Sequence, residues 1–130
     1  MMIEICVTSV PVSDQEKALQ FYTQILGFIK KTDLPLGEHR WLTVVSPKAQ
    51  AGVELLLEPM AFAPALEYQQ ALKQAGIPWT SFSVDDLVHE YQRLTELGVQ
   101  FSIPPTEAGN VQIAVLDDTC GNFIQLMQAL

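Results

Sequence analysis

The feature that most constrains this chain is that it repeats itself once. Val12-Ser13-Asp14 opens a segment that closes at Leu26-Gly27-Phe28, and Val84-Asp85-Asp86 opens another that closes at Leu97-Gly98-Val99. The offset is 72 residues at the start and 71 at the end, so the second helical segment is one residue shorter. Gly37 and Gly52 find counterparts in Gly109 and Gly121. Several matches in the same order describe two copies of one supersecondary unit. The spacing fits a βαβββ module of about 55 residues in each half.

Each copy reads alike. Ile3 to Val10 is a β-rich run that Pro11 ends. Ser13 or Asp14 can cap a helix on which Ala18, Phe21, Tyr22, Ile25 and Leu26 recur at helical spacing, with Gly27 as its stop. Phe28 to Lys31, Arg40 to Val45 and Val53 to Leu57 follow as strands, with Pro35-Leu36-Gly37 and Pro47 to Gly52 as turns. The second copy has a strand from Thr80 to Val84 and a helix from Asp86 to Leu97. Its remaining strands run from Val99 to Ile103, Val111 to Leu116 and Asn122 to Met127. The chain is one domain in three parts: a first module at 1–58, a linker with a short helix at 59–78, and a second module at 79–130.

Composition excludes several functions. Fifteen acidic against seven basic residues give a net charge of −8, and the only adjacent basic pair is Lys30-Lys31, so nucleic-acid binding is not expected. The same acidity suits a cationic or neutral small molecule. No apolar run reaches the roughly 18 to 20 residues of a spanning helix, and Met1 to Pro11 lacks the basic start of a secretory leader. Cys6 and Cys120 suggest no disulfide framework. A cytoplasmic protein that does not engage membranes is expected. There is no phosphate loop, dinucleotide fingerprint, Gly-x-Ser-x-Gly or Cys-x-x-Cys.

Val12-Ser13-Asp14, Phe21-Tyr22, Leu26-Gly27-Phe28, their counterparts in the second half and the run Asp117 to Gln125 resemble the vicinal oxygen chelate superfamily, the glyoxalase, bleomycin-resistance and extradiol-dioxygenase group. The resemblance spans nearly the whole chain. It implies an α+β fold of two tandem βαβββ modules, their mixed sheets curled into a cup with the helices outside, and commonly a homodimer. It also implies where a metal would be held: five residues before the Val of each Val-x-Asp segment, and four after the Gly of each terminal turn. Those positions are Val7, Leu56, Trp79 and Gln125. Val, Leu and Trp offer a metal no lone pair, and an amide is a weak neutral ligand. The usual metal site is therefore not expected, and a divalent cation is the lesser alternative. It would need an unusual set from Glu54, Glu58, His39 and Gln125. His39 reads as a turn residue before the third strand and His89 as a solvent-facing helix residue.

Period-two alternation gives the side chains that would line such a cup. They are Ile5, Val7 and Ser9; Trp79, Ser81 and Ser83; Glu54, Leu56 and Glu58; and Phe123, Gln125 and Met127. The opposite set, including Cys6, Thr8, Val10, Val53, Leu55, Leu57, Phe82, Ile124 and Leu126, would face the helices, with Cys6 a small buried hydrophobe. Alternation leaves open which face Trp41 occupies. The candidate ligand-binding residues are Val7, Ser9, Glu54, Leu56, Glu58, Trp79, Ser81, Gln125 and Met127. Trp79 would stack on a planar or cationic group, with a glutamate supplying charge. Cys120 lies beside Asp117 and Asp118, which oppose thiolate formation, so a nucleophilic role is not expected. The first expectation is a metal-independent protein that binds a small organic molecule, cationic or aromatic, without transforming it. A metal-dependent lyase, isomerase or dioxygenase with an atypical site is the second, and a non-catalytic interaction module the third.

Overall fold

A computed structural model describes residues 2–130. The fold is α+β and divides into two compact units after Ala63. Each unit holds one four-stranded mixed sheet.

The first unit contains β1 (Val7–Val12), α1 (Gln15–Gln20), β2 (Ile29–Leu36), β3 (His39–Val45) and β4 (Glu54–Pro59). Its strands lie in the order β1-β4-β3-β2, with β1 parallel to β4 and the other pairs antiparallel. The second unit contains α2 (Ala63–Gln74, crossing the boundary by one residue), β5 (Thr80–Ser83), α3 (Leu87–Glu96), β6 (Phe101–Ala108), β7 (Val111–Asp117) and β8 (Phe123–Ala129). Its order, β5-β8-β7-β6, is the same pattern again. The repeat read from sequence is thus a repeat of βαβββ topology.

The two first-in-module helices begin identically. Asp14 and Asp86 are the N-caps, accepting from the amides of Lys17 at 3.0 Å and His89 at 3.1 Å. They end alike too, at Gly27 and Gly98, with φ of 92° and 90°. Between those points the first copy has one residue more. That residue is absorbed by a π-helical turn, Phe21–Ile25, in which the Leu26 amide donates to the Phe21 carbonyl at 3.0 Å. A π turn inserts one residue into an α-helix without breaking it, which accounts for the change of offset from 72 to 71.

Several strand limits differ from the sequence reading. β1 runs through Pro11 to Val12, β2 through Pro35 to Leu36, and β6 through Pro104 and Pro105 to Ala108. All three are edge strands, where proline's missing N–H removes no ladder bond. The first turn lies at Gly37-Glu38, with Gly37 at φ 59°, so His39 opens β3 rather than sitting in the turn. Residues 2–6 precede β1 instead of belonging to it, which leaves Ile5 and Cys6 exposed rather than packed in a strand. Thr8 and Val53, expected to face a helix, are exposed as well.

One face of each sheet carries its core. In the first unit Val10, Val12, Leu42, Val44 and Leu57 are fully buried along with Ala18 and Tyr22 of the helical segment. In the second, Leu87 and Leu94 of α3 are buried with Ala114, Leu116 and Ile124. Each fully buried leucine contributes about 2 kcal/mol of apolar transfer.

Candidate functional site

The face of each sheet opposite its core presents the candidate residues, and the strand registers define it. In the first unit Val7 pairs with Glu54, Ser9 with Leu56 and Pro11 with Glu58, while Thr43 pairs with Leu56. Those residues share a face, and alternation from Thr43 puts Trp41 on it. The face of Trp41 is thereby settled. Trp41 is 38% exposed and its partner Leu34 58%. Leu56, at 9%, offers little surface, whereas Val7 and Glu58 are exposed and Ser9 is half-buried.

Glu54 is held at one end only. One carboxylate oxygen, Oε1, accepts from the Thr43 hydroxyl at 2.6 Å and the Thr32 hydroxyl at 3.3 Å. Oε2 has no hydrogen-bond partner among the described residues. Thr43 and Thr32 fix the carboxylate, and neither was singled out from sequence. Strand alternation could have placed Thr43 there, but the bulge at Lys31 breaks the count for Thr32. Toward the far end β3 and β4 are bridged by a side chain. The Gln15 amide donates to the carbonyls of Arg40 at 2.7 Å and Leu57 at 2.9 Å, and accepts from the Arg40 amide at 3.0 Å. Arg40 also binds Asp33 through two nitrogens, at 3.0 and 2.8 Å, and Glu16 at 3.0 Å. The guanidinium holds the Asp33 carboxyl below its usual range, and the two carboxylates raise the Arg40 guanidinium above its own.

In the second unit Ser81 pairs with Gln125 and Ser83 with Met127. Trp79 continues that alternation, its amide donating to the Phe123 carbonyl at 2.8 Å. Gln125 donates through Nε2 to the Ser81 hydroxyl at 3.0 Å, leaving its carbonyl oxygen without a hydrogen-bond partner among the described residues. Gln125, Met127, Phe123 and Trp79 are half-buried, and Ser81 is exposed. Trp79 meets Tyr68 of α2 edge-to-face, centroids 5.5 Å apart. Lys73 of α2 places its ammonium 4.7 Å from the Phe123 ring centre and 3.2 Å from Asp117 Oδ2.

α2 is pinned there by Gln69, which is buried. Its amide donates to Asn122 Oδ1 at 3.0 Å and to the Cys120 carbonyl at 3.4 Å. The turn it meets is ordered by Asp118, whose carboxylate accepts from the amides of Cys120 and Asn122 and from the Asn122 side chain at 2.7 to 3.0 Å. Cys120 is buried within this turn. Tyr68 and Lys73 were missed from sequence because a contact between helix and sheet leaves no periodic signal.

The nine candidates therefore fall into two groups. Val7, Ser9, Glu54, Leu56 and Glu58 share a face of the first sheet; Trp79, Ser81, Gln125 and Met127 share a face of the second. The metal positions implied by the family resemblance are filled by Val7, Leu56, Trp79 and Gln125, three of which lack a donor atom, while the fourth offers only a neutral amide oxygen. This donor set does not fit a divalent cation. His39 and His89 are exposed, on β3 and α3.

Comparison with known proteins agrees with the topology. Residues 4–126 match the model of the Glyoxalase/Bleomycin resistance protein/Dioxygenase superfamily. The uncharacterized protein YurT of Bacillus subtilis (strain 168) is 55% identical over 126 residues, covering 97% of this chain and 99% of YurT. Among solved structures, UcmS2 superimposes with a TM-score of 0.84 at 28% identity, covering 99% of this chain and all of UcmS2. TnmS3, described as an antibiotic binding protein from Streptomyces sp. CB03234, gives 0.77 at 29% identity, covering 99% of this chain and 98% of its own. With its duplicated βαβββ topology and a match from residue 4 to residue 126, this chain belongs to the glyoxalase, bleomycin resistance protein and dioxygenase superfamily.

Proposed function

We propose that this protein binds a small planar organic molecule without a metal and without transforming it. The observation that carries the reading is the pairing of a donor-poor metal quartet with a half-exposed apolar wall. Trp79, Phe123 and Met127 form that wall on the second sheet, and Gln125 and Ser81 supply a hydrogen-bonding pair within it. Apolar walls with a few placed polar groups are what small-molecule sites consist of. The Gln125 carbonyl oxygen, without a hydrogen-bond partner among the described residues, accepts a ligand N–H or O–H. Similarity to TnmS3, an antibiotic binding protein, supports a small-molecule ligand. Ligand binding then rests on burial, stacking and two or three hydrogen bonds.

The reading includes a homodimer working in the cytoplasm. Its support is the family resemblance together with exposed apolar residues before and on the edge strand β1, Ile3, Ile5 and Val7, since exposed apolar edges are normally covered. No disulfide involves Cys6 or Cys120 among the described residues, which agrees with a reducing compartment.

The test is metal content followed by a ligand screen. Untagged protein loaded with nickel, zinc, iron or manganese and then desalted is expected to retain none in stoichiometric amount. A planar aromatic at one hundred times its Kd should then stabilise the fold by about 2.7 kcal/mol. Stoichiometric retained metal would transfer the assignment to a metal-dependent lyase, isomerase or dioxygenase.

A further inference from the structure

We infer that Lys73 sets the charge of the ligand that the second sheet accepts, turning its aromatic wall away from cations and toward neutral or anionic planar molecules. The inference rests on the reading of that face as the ligand wall and adds the chemical class.

A bare aromatic wall attracts cations, because the ring faces carry negative potential. Here that potential is already used. The Lys73 ammonium sits 4.7 Å from the centre of the Phe123 ring. Phe123 neighbours Trp79 across the β5–β8 ladder, since their backbones are joined by a 2.8 Å hydrogen bond. The rings of Tyr68 and Trp79 are engaged with one another, their planes at 73°. A ligand on this wall therefore meets a fixed positive charge at one end.

The lysine is held rather than free to swing. Asp117 Oδ2 fixes its ammonium at 3.2 Å, and Asp117 is itself fixed, with Oδ1 accepting from the Thr119 amide at 2.7 Å. α2 cannot readily carry Lys73 away, because Gln69, one turn earlier, is buried against Cys120 and Asn122. Asp117 partly neutralises Lys73, but the ammonium is the end of the pair that lies over the ring. The other polar groups that β5 and β8 place on this wall, Ser81, Ser83 and Gln125, carry no charge. A planar molecule with a carboxylate or phenolate at its edge can stack on the aromatic wall while its anionic edge reaches Lys73. A planar cation must displace Lys73 or accept its repulsion. The overall charge of −8 acts at long range in the opposite sense, so the selection is local and strengthens as salt screens the distant charges.

The experiment compares three ring systems of similar size by fluorescence titration at 0.15 M salt: anthracene-9-carboxylate, 9-anthracenemethanol and proflavine, the last a cation at pH 7. Wild-type protein is expected to bind the carboxylate about tenfold more tightly than proflavine. Lys73→Met should invert that order by weakening the carboxylate and strengthening proflavine, each by about three- to tenfold. Lys17→Met, an equal change of net charge on α1, should leave the ratio unaltered. Asp117→Asn, which frees the lysine charge, should raise the carboxylate preference further. Probes that bind with a ratio indifferent to Lys73→Met and Asp117→Asn would overturn this inference and leave the ligand wall standing. Binding of none of the three would overturn the wall, and this inference with it.

Discussion

Replacing Trp79 by alanine separates a ligand wall from a core. Trp79 is half-buried and meets Tyr68 edge-to-face, ring centroids 5.5 Å apart and planes at 73°. An edge-to-face pair contributes about 0.5 to 1.5 kcal/mol beyond its area. Roughly 50 Å² of apolar surface returned to water adds about 1.3 kcal/mol at 25 cal/mol per Å². Trp79→Ala should therefore cost about 2 to 3 kcal/mol in urea unfolding, with an unchanged m-value. A double-mutant cycle with Tyr68→Ala should return a coupling of about 0.5 to 1.5 kcal/mol. Affinity for a planar ligand should fall at least tenfold, or about 1.4 kcal/mol. A stability loss above about 4 kcal/mol, the range for large aromatics deleted from a core, together with unchanged ligand affinity, would refute the reasoning.

Three further perturbations follow from the geometry. Gly121 has φ 106°, and a Cβ there would lie 2.7 Å from Gln69 Nε2; Gly121→Ala should cost about 2 to 3 kcal/mol by thermal unfolding, and adding Gln69→Ala should recover only the steric part. Gln15→Leu deletes three hydrogen bonds to Arg40 and Leu57 and should cost about 2 to 3 kcal/mol, with faster amide exchange at Arg40. Arg40 holds the Asp33 carboxyl below its ordinary 3.8, so the stabilisation is present above that pH and is lost as pH falls through the lower folded value. The acid limb of a stability profile below about pH 4 should accordingly flatten in Asp33→Asn, whereas the same slope in both proteins would remove Asp33 as its source.

The duplicated topology was legible because its markers are local: an Asp cap, a helical stripe and a left-handed Gly recur in order. Even the single-residue change of offset was visible, although its physical form, a π turn at Phe21–Ile25, was not. Strand ends were misread at Pro11, Pro35, Pro104 and Pro105 for a tertiary reason. A proline stops a central strand but not an edge strand, and edge status is decided by the order of strands in the sheet. Alternation located Trp79, Ser81, Gln125 and Met127 on one face. It failed for Cys6 and Ile5, which lie before β1 begins, and it could not place Trp41 without the β3–β4 register. Thr43 beneath Glu54 and Lys73 over Phe123 are contacts between separate elements, so no window of sequence contains them.

Metal-free ligand binding is tested most directly by titrating anthracene-9-carboxylate into chelator-stripped protein and into the same protein reloaded with a divalent metal. Saturable binding of equal affinity in both samples, lost in Trp79→Ala, is the predicted result. Binding that appears only after metal is restored, or no binding in either sample, would contradict it.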